Sequence, residues 1–134
     1  MSDAFSIASS GLRAASLRLE VSASNVANVL TAGRLPSANG TSAAPAPYAP
    51  LRLDQVEISG GGTAAKVSTV TPGYTASYDP TAPYADANGM VAAPKVDLAN
   101  ELIQQLTAKY TFAANAAVMR TASDMTKTLL DRTA

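Results

Sequence analysis

All eight prolines of this 134-residue chain fall between residues 36 and 94. Proline has no amide proton, and its ring clashes with the preceding turn, so it does not sit inside a helix. A long helix is therefore allowed at each end of the chain and forbidden in the middle.

Residues 3–30 read as one helix of about 40 Å. Phe5, Ala8, Leu12, Ala15, Leu19, Ser22, Val26 and Val29 recur at alternating spacings of three and four. That is a heptad stripe, broken at Ser22, and it predicts a coiled-coil-like seam. Ser2 or Asp3 caps the start. Thr31-Ala32-Gly33 suits the end, with Gly33 taking the left-handed conformation after the last turn. Residues 96–131 read as a second helix of about 54 Å, with Asp97 as its N-cap. Leu98, Leu102, Leu106, Tyr110, Ala113 and Ala117 form one stripe. Val118, Ala122, Met125 and Leu129 form another, offset by a residue. A drifting stripe is expected of a helix that touches more than one neighbour.

Between the helices, Pro45, Pro47 and Pro50 exclude a continuous helix. Leu51, Leu53, Val56 and Ile58 read as one strand, and Ala65 to Val70 as a second. Gly60-Gly61-Gly62 is the loop of the small antiparallel hairpin that joins them. Tyr78 to Pro94 reads as turns, marked by Asp79-Pro80, Pro83 and Asn88-Gly89. The expected fold is thus mainly α. Long N- and C-terminal helices form a coiled-coil-like pair, with a small β-hairpin and loop insert between them. The segments are 1–33, 34–95 and 96–134. So small an insert cannot cover both stripes, so the helices pair with each other, with other subunits, or with both.

Composition points the same way. Apolar residues make up 47%, but much of that is alanine, with two Phe, five Tyr and no Trp. Alanine buries little area, so an isolated monomer has a thin core, and thin cores are often completed by partners. Ten basic and ten acidic residues balance, which argues against a nucleic-acid binder or a polybasic membrane segment. The chain has no Cys and no His, so thiolate and imidazole chemistry is absent. The start Met1-Ser2-Asp3 lacks the pattern of a cleaved signal peptide, and no apolar run is long enough to span a bilayer. Gly60-Gly61-Gly62 is not a phosphate loop, because no Lys-Ser/Thr follows at the required spacing. Asp54 with Glu57, or Asp79 with Asp86, are carboxylate pairs of a kind common by chance. No catalytic, cofactor or metal site is expected, and the chain does not read as an enzyme.

Two segments carry a family likeness. Val21-Ser22-Ala23-Ser24-Asn25-Val26-Ala27-Asn28-Val29-Leu30-Thr31 resembles the N-terminal signature of flagellar rod, hook and hook-associated proteins, centred on Ser-Asn-apolar-Ala-Asn. Tyr78-Asp79-Pro80, Pro83, Ala85-Asp86, Gly89, Val91, Pro94 and Val96-Asp97 resemble the stretch leading into the last helix of proximal rod proteins, the FlgC family. Glu101, Ala108, Ala114-Asn115, Thr121 and Met125 continue that likeness. Leu30, Arg34, Lys95, Tyr110 and Phe112 depart from the usual pattern, and residues 34–77 match weakly.

The resemblance implies a structural subunit of the flagellar basal-body rod, exported unfolded through the type III apparatus without cleavage and assembled on the periplasmic side around the export channel. It implies as partners copies of itself, other rod subunits (FlgB, FlgF, FlgG and FliE-like proteins) and the export apparatus. Phe5, Leu12, Leu19, Val26, Leu98, Leu102, Leu106, Phe112, Met125 and Leu129 are then candidate packing residues. Asn25, Asn28 and Asn115, poor helix formers inside helices, are candidates for fixing register across subunit or helix contacts. The terminal helices are expected to order on contact with the growing tip. A FlgB-like paralogue, or a helical adaptor or secretion-chaperone-like module, would use the same stripes.

Overall fold

The computed structural model describes residues 2–36 and 45–133. Met1, residues 37–44 and Ala134, which belong to the three segments assigned above, lie outside the described residues. Two helices bracket two hairpins: α1 (Ser2–Ala27), β1 (Leu51–Glu57), β2 (Thr63–Thr69), β3 (Tyr74–Tyr78), β4 (Met90–Pro94) and α2 (Leu98–Thr133).

The helices run antiparallel, as their end contacts require. Ser22 and Asn25 near the end of α1 bond Glu101 in the first turn of α2. Gly11 in the middle of α1 lies against Asn115 in the middle of α2. The α2 residues turned to α1 recur at seven: Glu101, Ala108, Asn115 and Ala122. On α1 the buried Ala8, Ala15 and Ser22 keep the same interval. The spacing is that of a heptad seam, but its members are small or polar. Asp97 caps α2 as expected, its Oδ1 accepting from the amides of Ala99 at 2.9 Å and Asn100 at 3.3 Å.

The hairpin β1–β2 pairs antiparallel from Leu51↔Thr69 to Glu57↔Thr63. Its loop takes Gly60, Gly61 and Gly62 at φ of +95°, +95° and +99°, a region L side chains avoid. This hairpin covers the other flank of α1: the Thr63 amide donates to Ser10 Oγ at 3.1 Å, and Arg18 donates to Gln55.

A second hairpin, β3–β4, was not anticipated. It pairs Tyr74↔Pro94 through Tyr78↔Met90, across the stretch that reads as turns. β4, Met-Val-Ala-Ala-Pro, lacks the apolar alternation that marks a strand, and β3, Tyr-Thr-Ala-Ser-Tyr, carries it over five residues only. The turn signals belong to the loop between them. There Asp79 accepts from the Thr81 amide and hydroxyl, which hold its carboxyl below the usual range. Asp86 accepts from the amides of Asn88 and Met90, and Gly89 sits at φ +73°.

The end of α1 also differs from expectation. The helix stops at Ala27, followed by a turn over Asn28–Leu30, and Gly33 is not in the left-handed region. Gly33 instead forms an antiparallel bridge with Ala92 of β4, each amide donating to the other's carbonyl at 2.9 Å. A Cβ at Gly33 would sit 2.5 Å from the Pro45 carbonyl oxygen. Glycine is needed there for close backbone approach, not for dihedral freedom.

The core is thin. Among the described residues, the buried apolar side chains besides Pro50 and Pro94 are Ala8, Ala14, Ala15, Val21, Val91, Ala92, Ala108 and Ala122, six of the eight being alanine. Gly33→Ala should therefore cost the insert about 2 kcal/mol, because backbone rather than a movable side chain must give way. Four of the five tyrosines lie in the insert, so thermal unfolding followed by tyrosine fluorescence reads the effect as a lowered midpoint.

Candidate subunit interface

Asn25 is 2% exposed and ties four segments together. Its Nδ2 donates to the Leu51 carbonyl at 2.8 Å and to Glu101 Oε1 at 2.7 Å. Its Oδ1 accepts from the Leu51 amide at 2.8 Å and the Tyr48 hydroxyl at 3.1 Å. One amide thereby joins the end of α1, the loop before β1, the first residue of β1 and the start of α2. Ser24 adds a hydroxyl–hydroxyl bond to Tyr48 at 2.9 Å. Asn28 turns its amide back on the Ser24 carbonyl at 2.9 Å and accepts from the Thr31 hydroxyl, competing with the helix ladder where α1 stops. The polar residues of the Ser-Asn-Val-Ala-Asn segment thus act within the chain, at the junction of both helices and the insert.

Asn115 has a different role. Its side chain covers Gly11, where a Cβ would meet Asn115 Oδ1 at 2.5 Å, and its Nδ2 donates to the Thr111 carbonyl. The pair sets how closely the helices approach at mid-length.

The large apolar candidates lie elsewhere. Leu19, Val26, Leu98, Leu102, Leu106, Phe112, Met125 and Leu129 are exposed, and Phe5 and Leu12 are half-buried. At 100° per residue, Phe5, Leu12, Leu19 and Val26 flank the α2 contact on the side away from the β1–β2 hairpin. With α2 antiparallel, Leu98, Leu102 and Phe112 fall on that same side. The large members of the sequence stripes therefore meet as one surface across both helices, while their small members Ala8, Ala15, Ser22 and Ala122 form the seam; Leu106 and Tyr110 turn further outward. The Val118, Met125 and Leu129 stripe runs toward the far end of α2.

Sequence reasoning missed Tyr48 and the Gly33–Ala92 bridge, and it took Ser22 for a break in the stripe. Ser22 is buried and donates to the Glu101 carbonyl at 3.0 Å. Only a polar residue at that heptad position hints at such a bond.

A cleft of about 500 Å³ lies between α1, β1 and the start of α2. Of its charged groups, Arg18 bonds Gln55, Arg52 pairs with Asp54, Asp97 caps the first amides of α2 and Glu101 accepts from Asn25, while Lys95 is exposed. Among the described residues, no group of three or more His, Cys, Asp or Glu is placed to hold a metal ion, and no helix is long and apolar enough to cross a membrane.

A family model described as "Flagella basal body rod protein" matches residues 5–33, and one described as "Flagellar basal body rod FlgEFG protein C-terminal" matches residues 87–132. The flagellar basal-body rod protein FlgC of Salmonella typhimurium is 36% identical over 125 residues, which span 90% of this chain and 89% of the relative. That of Agrobacterium fabrum is 30% identical over 98% of this chain and 94% of its own length. That of Bacillus subtilis is 29% identical over 89% of each. The chain belongs to the FlgC family of flagellar basal-body rod proteins. It is a structural subunit of the bacterial flagellar basal body. The two matched segments are those joined by the α1–α2 seam and the Gly33–Ala92 bridge.

The Asn25 junction can be probed without changing shape. Asn25→Asp replaces a donor with an acceptor facing the Leu51 carbonyl and the Glu101 carboxylate, and should cost about 2–4 kcal/mol. Asn25→Asp should swim no better than Asn25→Ala in a strain carrying only the variant, and both should be depleted from purified basal bodies. An isosteric Asp that assembles normally would show that the two bonds Asn25 donates are dispensable.

Proposed function

We propose that this chain assembles into the proximal rod through its terminal helices, forming part of the axial shaft around the export channel on the periplasmic side. The helices act as a coiled-coil-like pair whose outer face is the assembly surface. The segments 1–33 and 96–134 form the inner axial part, and 34–95 is the insert they carry. Its neighbours are copies of itself and other rod subunits of the FlgB, FlgF, FlgG and FliE-like kinds, delivered with it by the flagellar export apparatus. The role is mechanical and not enzymatic.

The observation that carries this reading is the apolar surface shared by α1 and α2. Phe5, Leu12, Leu19, Val26, Leu98, Leu102 and Phe112 cross the pair on the side the insert leaves open. Fully burying one such side chain contributes roughly 1.5–3 kcal/mol. A seam of alanine, glycine and serine offers far less within the monomer. Exposed apolar surface of that extent marks an interaction site. Asn25, Asn28 and Asn115 support the surface from within by fixing the register of the helices that display it.

Leu19→Glu combined with Leu102→Glu tests the reading. Both positions are exposed, so far-ultraviolet circular dichroism of the purified chain should be unchanged. Swimming should be lost, and the variant should be missing from purified hook-basal bodies. Normal recovery there would overturn the proposal. Amide exchange gives a second test: α1 and α2 should exchange at least ten times faster in the dilute free chain than in isolated basal bodies, and equal protection would defeat the idea that assembly orders the helices.

A further inference from the structure

The two ends of the helix pair are unlike. At one end the helices stop together, since Asn25 is opposite Glu101, close to the last residue of α1 and the first of α2. At the other, Gly11 is opposite Asn115, so Ser2 falls level with Asp124. The last nine residues of α2 pass beyond α1, about 14 Å of helix. The heptad row that faces α1 continues into this overhang: after Glu101, Ala108, Asn115 and Ala122 the next member is Leu129, 52% exposed. Thr121, Asp124, Met125, Thr128 and Arg132 line a shallow hollow with it.

Resting on the assembly reading above, we infer that this notch receives the terminal turn of the first helix of the axially adjacent rod subunit, a chain of this same architecture. Two observations choose that occupant. The notch prolongs the established α1–α2 seam, so what fits it is a helix end collinear with α1. The end that arrives along that axis is the turn after an α1-type helix, and in this chain that turn presents Leu30 at 91% exposure. Head-to-tail contact of this kind is heterologous and does not close, which makes it a growth contact along an axis.

Photoreactive benzoylphenylalanine at position 129, at position 30 and, as a lateral reference, at position 102 tests the inference in purified basal bodies, with adducts mapped by mass spectrometry. The position 129 probe should capture the segment Val26–Thr31 of a second copy or the equivalent turn of another rod subunit. The position 30 probe should capture the last turns of a C-terminal helix. Leu30→Asp, at a site too exposed to unsettle the fold, should deplete the chain from basal bodies at least tenfold with its circular dichroism unchanged. Adducts from position 129 on an insert or on a protein outside the rod would overturn the notch. So would lateral adducts from position 102 without axial ones, which leave rod assembly standing. Absence of adducts at all three positions would sink the assembly reading together with it.

Discussion

The close approach of α1 to α2 governs this structure. Helices in contact through Ala8, Gly11, Ala15 and Ser22 on one side and Ala108, Asn115 and Ala122 on the other leave no room between them for Leu or Phe. Large apolar residues on the same helices must then lie to the side, and they do. The usual relation between amphipathicity and folding is inverted as a result. The residues with the most area to bury are outside the monomer's core, and the seam is made of residues whose burial contributes little. A small domain is held together by about 5–15 kcal/mol in total. Seven large side chains left exposed or half-buried represent a gross hydrophobic term of comparable size, which the assembly proposed above would release on association.

A seam of small residues fits almost equally well at several offsets, which raises the question of what fixes its register. Buried polar groups do so because they tolerate no slip. Moving α2 by one turn relative to α1 would take Glu101 from Asn25 and from Ser22, and leave both buried donors without that partner. Each such loss costs about 1–3 kcal/mol when buried, more than the packing difference between neighbouring offsets of alanine. The same amide reaches Tyr48, so the insert and the helix pair are locked by one group. Gly33 and Ala92 repeat the device on the backbone, where two bonds at 2.9 Å close the insert onto the end of α1.

Much of this was legible in the sequence. The confinement of proline to residues 36–94 located both helices, Asp97 announced its cap, and Leu51 to Val70 with three glycines between them announced the first hairpin. The heptad positions were read as one seam; their small members Ala8, Ala15 and Ser22 do form it, and their large members lie beside it, because periodicity reports that a face is apolar and not what each residue meets. The second hairpin was hidden because alanine and proline in Met90–Pro94 carry no strand pattern; its burial comes from tertiary packing, with Val91 and Ala92 among the most buried residues. Asn25 and Asn28 stood out as misplaced in a helix, which is a sound signal of a bond to something. That the something was Leu51, Tyr48, Glu101 and Ser24 depends on contacts up to 76 residues apart, which local propensity does not encode.

The departures from the family pattern fall where this arrangement can absorb them. Arg34 lies just beyond the Gly33 bridge and is exposed, and its amide still reaches the Pro45 carbonyl at 2.8 Å, a backbone bond indifferent to the side chain. Lys95 is exposed beside the buried Pro94, and its amide likewise donates to the Gly73 carbonyl. Leu30 is not absorbed in that way. A leucine 91% exposed in a turn contributes nothing to the monomer and invites unwanted association, whereas a small polar residue there would be neutral. Its presence at one end of the pair, with Leu129 uncovered at the other, is explained in a single step if the two ends belong to one contact between successive subunits.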